Sequence, residues 1–184
     1  PIRWLVAREY CEHPAFRWFL TTCDVIPVNR AGIDTAATRA AIRTVEEGGV
    51  VGMFPEGRIN MSDKFMLPVR PGAVMVALKA GVPLIPCYIE GSPYDQTPWS
   101  PFLMSARVRV RFGRPIWTSD FFGDDHPDDV SVKALMFQIA RQIALLADEP
   151  DYEPQLAGRR WKPTSDDLAA AMQSSRQRND QRGS

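Results

Sequence analysis

The apolar positions of the chain alternate between short continuous runs and stretches of helical period. Residues 3–8, in "IRWLVAR", read as a strand. "HPAFRWFLTT" follows as a short helix with Pro14 in its first turn, where a missing N–H costs nothing. "DVIPV" (24–28) is a second strand. Asp34 then caps a helix reaching to about Glu47, with Ala37, Ala41, Ile42 and Val45 on one face and Gly48-Gly49 ending it. "VVGMF" (50–54) has the continuous apolarity of a strand buried on both faces. Residues 71–81 form a helix closed by Gly81. "VPLIPCYIE" (82–90) reads as another buried strand, with Pro83 and Pro86 awkward inside a hydrogen-bonded ladder.

Strands alternating with helices predict an α/β fold: a mixed, mostly parallel central sheet flanked by helices, in a single domain over residues 1–147. "ARVRVRFG" (106–113) differs. Val108, Val110 and Phe112 alternate with Arg107, Arg109 and Arg111, which predicts a half-exposed strand at or near an edge. A last amphipathic helix spans about 129–147, with Val132, Leu135, Met136, Ile139, Ile143 and Leu146 inward. Residues 148–184 turn acidic and then polar, and read as a partly disordered tail. No internal repeat is visible.

Composition narrows the function classes. With 22 basic and 22 acidic side chains the net charge is zero, so no global field favours nucleic acid. The first 120 residues carry a small basic excess, which suits an anionic substrate or lipid surface. Cys11, Cys23 and Cys87 are odd in number and form no C-x-x-C pair, as expected of reduced thiols. No apolar run approaches the ~20 residues that span a bilayer. The chain opens on Pro1 close to a strand, and a natural N-terminus is expected before it.

Chemistry is concentrated where charge follows an apolar strand. Ligands of open α/β sheets bind at the carboxyl ends of strands. Arg30 lies two residues past Val28, and Glu56 and Arg58 lie just past Phe54. If those two strands are neighbours in a parallel sheet, Arg30 and Arg58 emerge at one edge, where two guanidiniums can bind a phosphate bidentately. Gly57 lets the backbone approach a ligand, and Glu56 is placed to orient an arginine or a hydroxyl. Spacing alone leaves the blander alternative open, in which each arginine pairs with a surface carboxylate.

"VIPVNRAG", "FPEGRIN" and "VPLIPCYIEGS", in that order, resemble blocks of the glycerolipid acyltransferase family, the PlsC-like 1-acyl-sn-glycerol-3-phosphate acyltransferases. The resemblance covers about residues 3–118 and includes the connecting "LPVRPGAVMVALKAG". It implies that Arg30 and Arg58 bind the acceptor phosphate, supported by Glu56 and Gly57, and that the block around Pro83 and Pro86 shapes the acyl-donor side. The third block is commonly F-P-E-G-T-R-S; here Arg58 follows the glycine directly, which points to a different reach or acceptor head group.

The resemblance also implies an N-H-x4-D block, with histidine as general base. His13 and His126 are followed five residues on by Trp18 and Ser131, so neither begins one. The expectation is that the catalytic residues lie upstream of Pro1 and that residues 1–184 alone have little turnover. The implied activity is transfer of a fatty acyl group from acyl-CoA or acyl carrier protein to a lysophospholipid. It needs no metal or redox cofactor and takes place peripherally at the cytoplasmic membrane face. Two alternatives stay open: acylation of another lysolipid, and a non-catalytic lipid- or phosphate-binding protein on the same fold. "GDDHPDDV" (123–130) reads as a solvated loop with acidic residues at a helix start rather than as a metal site. Trp4, Phe16, Trp18 and Phe19 read as core in preference to a membrane face, and the apolar loop 60–68 as a candidate acyl-chain contact.

Overall fold

A computed structural model describes residues 1–29, 34–60, 62, 64–92, 104–122 and 128–157. Its central strand is β1 (Ile2–Ala7), paired in parallel with β2 (Ile26–Val28) on one side and β3 (Val50–Gly52) on the other. Parallel neighbours require crossover connections. The helices α1 (Arg8–Glu12) and α2 (Pro14–Thr22) join β1 to β2, and α3 (Thr35–Glu46) lies between β2 and β3. The α/β class read from the sequence is the class observed. The strand expected over 24–28 and the one over 50–54 are not neighbours, however, because β1 separates them.

Local chemistry fixes the helix boundaries. His13 Nδ1 accepts the Ala15 N–H at 3.2 Å, and Pro14 opens α2. Asp34 Oδ1 accepts the Ala37 N–H at 2.9 Å, and its Oδ2 accepts the Asn29 N–H at 2.8 Å. One carboxylate thus caps α3 and ties the helix to the end of β2. Gly81, with φ +63°, supplies the left-handed end of α4 (Gly72–Ala80), as the sequence predicts. Asp128 Oδ1 accepts the Ser131 N–H at 2.8 Å and caps α6 (Asp129–Leu146).

Two cores result. The smaller joins Ile26 to Ala37 and Ala41 of α3 and Val76 of α4; the small side chains let α3 lie close to the sheet. The larger gathers Leu135, Met136, Ile139, Ala140 and Ile143 of α6 around Met66, Val69, Val74 and Ile116. Helix α4 contributes to both, through Val76 and Val74.

Several expectations are corrected. β3 is three residues long and not buried on both faces: Val50 is 53% exposed and Phe54, beyond the strand, 59%. Only Cys87–Glu90 of the stretch 82–90 forms a strand, β4, and it runs antiparallel to β5 (Arg109–Phe112). Ahead of it Leu84 makes a single bridge to Ile116, while Pro86 ends the ladder because it has no N–H to give. β5 is open on both faces, with Arg109 exposed and Arg111 half-buried. Val108, Val110 and Phe112 face solvent, whereas Arg111 donates to the Leu146 carbonyl at 2.7 Å and to Asp148 at 2.6 Å. The Leu146 carbonyl and Asp148, at and just past the end of α6, hold Arg111 in place. The short helix α5 (Ser119–Phe122) was not predicted.

The chain does not leave the core at residue 147. Tyr152 and Leu156 pack against the larger core, and Val69 bridges Leu156 in parallel through Val69 N–H to Gln155 O (2.7 Å) and Ala157 N–H to Val69 O (2.8 Å). All three cysteines are free thiols.

Candidate functional site

The turn after β3 is built from its own sequence. The Gly57 N–H donates to Phe54 O at 3.0 Å, closing a turn with Pro55 second and Gly57 last. Gly57 sits at φ +67°, and a Cβ there would stand 2.9 Å from Cδ of Arg70. The glycine is therefore required both by the backbone and by the arginine laid across it. The Arg70 N–H donates to Pro55 O at 2.8 Å, fixing Arg70 to the same turn. Arg58 and Arg70 are half-buried, with their Nε atoms shielded from solvent. Two guanidiniums thus belong to one turn at the carboxyl end of a parallel strand.

Glu56 points away from solvent. Its Oε2 accepts the Leu67 N–H at 2.8 Å, and burial pushes its carboxyl above the usual range while that hydrogen bond pulls it back. Through this bond it holds the loop at Leu67 against the turn. On the strand side, the Trp4 ring lies over Gly52, where a Cβ would meet it at 2.5 Å, and stacks on Phe54 with centroids 5.3 Å apart. An apolar aromatic surface therefore lies within one turn of Arg58.

Arg30 lies outside the described residues, as do Ala31, Gly32 and Ile33. The ends of that loop are held by Asp34, whose carboxyl is kept below the usual range by the Ala37 and Asn29 N–H groups, with a smaller pull from the Arg8 charge. Arg8 is the first residue after β1, the strand between β2 and β3. It stands at the same carboxyl edge, between the strands β2 and β3. Val28 is opposite Ala7 and Gly52 is opposite Trp4, so the ends of β2 and β3 are offset by three residues, about 10 Å. Arg8 and Arg70 escaped the sequence reading. Arg8 carries the signal used for Arg30, a charge directly after an apolar strand; Arg70 carries none, because its partner turn is remote in sequence.

Other candidates separate. Pro86 is fully buried against Gly113 and presents no surface to a donor, whereas Pro83 is half-buried. In the loop 60–68 Met66 is buried and Phe65 packs on the larger core, so these two side chains fill the protein interior. The aromatic group divides: Trp4 and Phe16 are half-buried, while Trp18 is 78% exposed and Phe19 faces out beside it. His126 lies outside the described residues; among those described no cluster of His, Cys, Asp or Glu suits a metal.

Comparison with known proteins agrees with the resemblance carried by the strand-end blocks. Residues 1–90 match the family model for acyltransferases. The 1-acyl-sn-glycerol-3-phosphate acyltransferase of Bacillus subtilis is 24% identical over 65% of this chain and 57% of its own length. An uncharacterised protein of Mycobacterium tuberculosis is 29% identical over 81% of this chain and 52% of its own. The chain thus spans about half the length of these relatives. The crystal structure of the 1-acyl-sn-glycerophosphate acyltransferase PlsC from Thermotoga maritima shares the fold, with a TM-score of 0.54 at 18% identity, over 88% of this chain and 58% of that one. Over these regions the chain is similar to PlsC-like acyltransferases.

Proposed function

We propose that this chain forms the acceptor-binding part of an O-acyltransferase that moves a fatty acyl group from a thioester to a lysophospholipid, 1-acyl-sn-glycerol-3-phosphate being the leading candidate. The observation that carries the reading is the turn at 54–58. Phe54, stacked on Trp4, opens the turn to which Arg58 and Arg70 belong, which suits an anionic head group next to an apolar body. Arg8, Arg30, Arg58 and Arg70 hold the phosphate through charge-assisted hydrogen bonds. Glu56 and Gly57 shape the turn, and the neighbourhood of Pro83 faces the donor. The acceptor hydroxyl attacks the thioester carbonyl; the C–S bond breaks, a C–O ester forms, and the hydroxyl proton passes through a general base to the departing thiolate. Acyl-CoA or acyl carrier protein supplies the thioester, and no metal or redox cofactor enters the step.

The acceptor resides in a bilayer. Among the described residues no helix is long and apolar enough to cross a membrane. Outward Trp18 and Phe19 on α2 suit contact with a membrane surface, consistent with peripheral attachment at the cytoplasmic face. A different lysolipid acceptor is the second reading, favoured by Arg58 following Gly57 directly.

The test uses the protein as its gene encodes it. Arg58→Ala and Arg30→Ala each raise the acceptor KM about tenfold or more in a thiol-release assay, as expected for lost hydrogen bonds to a charged group. Unchanged kinetics in both variants would overturn the phosphate-binding assignment. A panel of lysolipid acceptors identifies the head group.

A further inference from the structure

We infer that the segment 149–157 braces the acceptor-binding turn, with Tyr152 as its positioning residue. The inference rests on the acceptor-site reading above and adds to it a remote part of the chain. The Tyr152 hydroxyl donates to the Met66 carbonyl at 3.1 Å, and its ring meets Phe65 edge-on with centroids 5.0 Å apart. The next residue, Leu67, donates its N–H to Glu56 Oε2 at 2.8 Å. Two residues further on, Val69 is held on both sides by the same segment, through Gln155 O and the Ala157 N–H. Arg70 then donates to Pro55 O and lies across Gly57. The stretch of residues 65–70 is thus clamped by 149–157 on one side and grips the turn at Pro55, Glu56 and Gly57 on the other.

The brace is itself anchored. Arg141 of α6 donates to Glu153 Oε1 at 3.0 Å and to Tyr152 O at 3.4 Å. Glu56 adds a smaller contribution to burial in raising the Tyr152 hydroxyl above its usual range, as expected of neighbours on one strip of chain. A rigid support of this kind decides whether two guanidiniums stand at phosphate spacing, since a site held loosely by its surroundings loses affinity before it loses fold.

The experiment compares Tyr152→Phe, Tyr152→Ala and Arg58→Ala in the protein as its gene encodes it, by amide hydrogen exchange and by kinetics with lysophosphatidic acid. Tyr152→Phe keeps the ring on Phe65 and removes only the hydroxyl donor. It is expected to speed exchange at the Leu67 and Arg70 amides, leave β1 amides unchanged, and raise the acceptor KM about threefold with kcat and donor KM held. Tyr152→Ala has the larger effect in the same direction. Unchanged exchange at Leu67 and Arg70 in both Tyr152 variants would overturn the brace. Faster exchange with an unmoved acceptor KM, where Arg58→Ala does raise it, would overturn the positioning role. An acceptor KM unmoved by Arg58→Ala indicts the phosphate reading instead, and the exchange data still decide whether the brace holds the turn.

Discussion

The two halves of the molecule are stabilised differently. Around α6 the core is large and aliphatic, with Leu135 and Ala140 at 0% exposure and aromatic residues closing its edge. Beneath α3 it is thin, and its helix contributes mainly alanines. The parallel sheet that carries the site belongs to the thin half, yet the site's turn is held by residues 65–70, which belong to the thick one. The strands supply direction, setting Arg8 and the turn of Arg58 at one carboxyl edge. The larger core supplies rigidity. The candidate turn at the seam draws on both.

The comparison can be broken most directly by cavity formation. Leu135→Ala is expected to cost about 3–5 kcal/mol, and Ile26→Ala in the thinner core about 2–3 kcal/mol, because a small core collapses more readily around a lost side chain. Urea denaturation of both variants measures the difference; equal costs would erase the distinction between the halves. At the seam, Gly57→Ala forces a left-handed backbone on a residue with a Cβ and displaces Arg70. About 1–3 kcal/mol of stability is lost, with a raised acceptor KM that Arg70→Ala reproduces.

Smaller effects sharpen the picture. Asp34→Ala removes the cap shared by α3 and the end of β2, at about 1 kcal/mol. The folded carboxyl lies below its unfolded value, so this contribution is present above about pH 4 and fades as the pH falls through the folded value. Glu56 behaves in the opposite sense. Its folded carboxyl is raised, so the native state is favoured below the unfolded value near pH 4.3 and loses that advantage as pH rises through the folded value. Glu56→Gln keeps an oxygen for the Leu67 N–H. Its melting temperature should match or exceed the parent's at pH 7 and fall no higher than the parent's at pH 4.

What the sequence made legible was local. Asp34 and Asp128 announce the starts of α3 and α6, Gly81 the end of α4, and the apolar period of α6 its buried face. The turn at Glu56–Arg58 was legible because charge after an apolar run is itself a local pattern. What escaped depends on distant partners. In β5 Arg111 is half-buried because Leu146 O and Asp148, over thirty residues away, receive it. Phe54 gives no sign that its strand lies next to only one other, and Tyr152 sits in an acidic stretch whose composition reads as solvated. Arg70 joins the site through a glycine thirteen residues back. No periodicity encodes such meetings.

The contact between Tyr152 and Met66 spans 86 positions of chain. During synthesis the turn at 54–58 therefore leaves the ribosome well before the segment that secures it. Contacts of such separation also carry a high closure entropy and form late in folding. The arginine-bearing turn is thus made early and finished last.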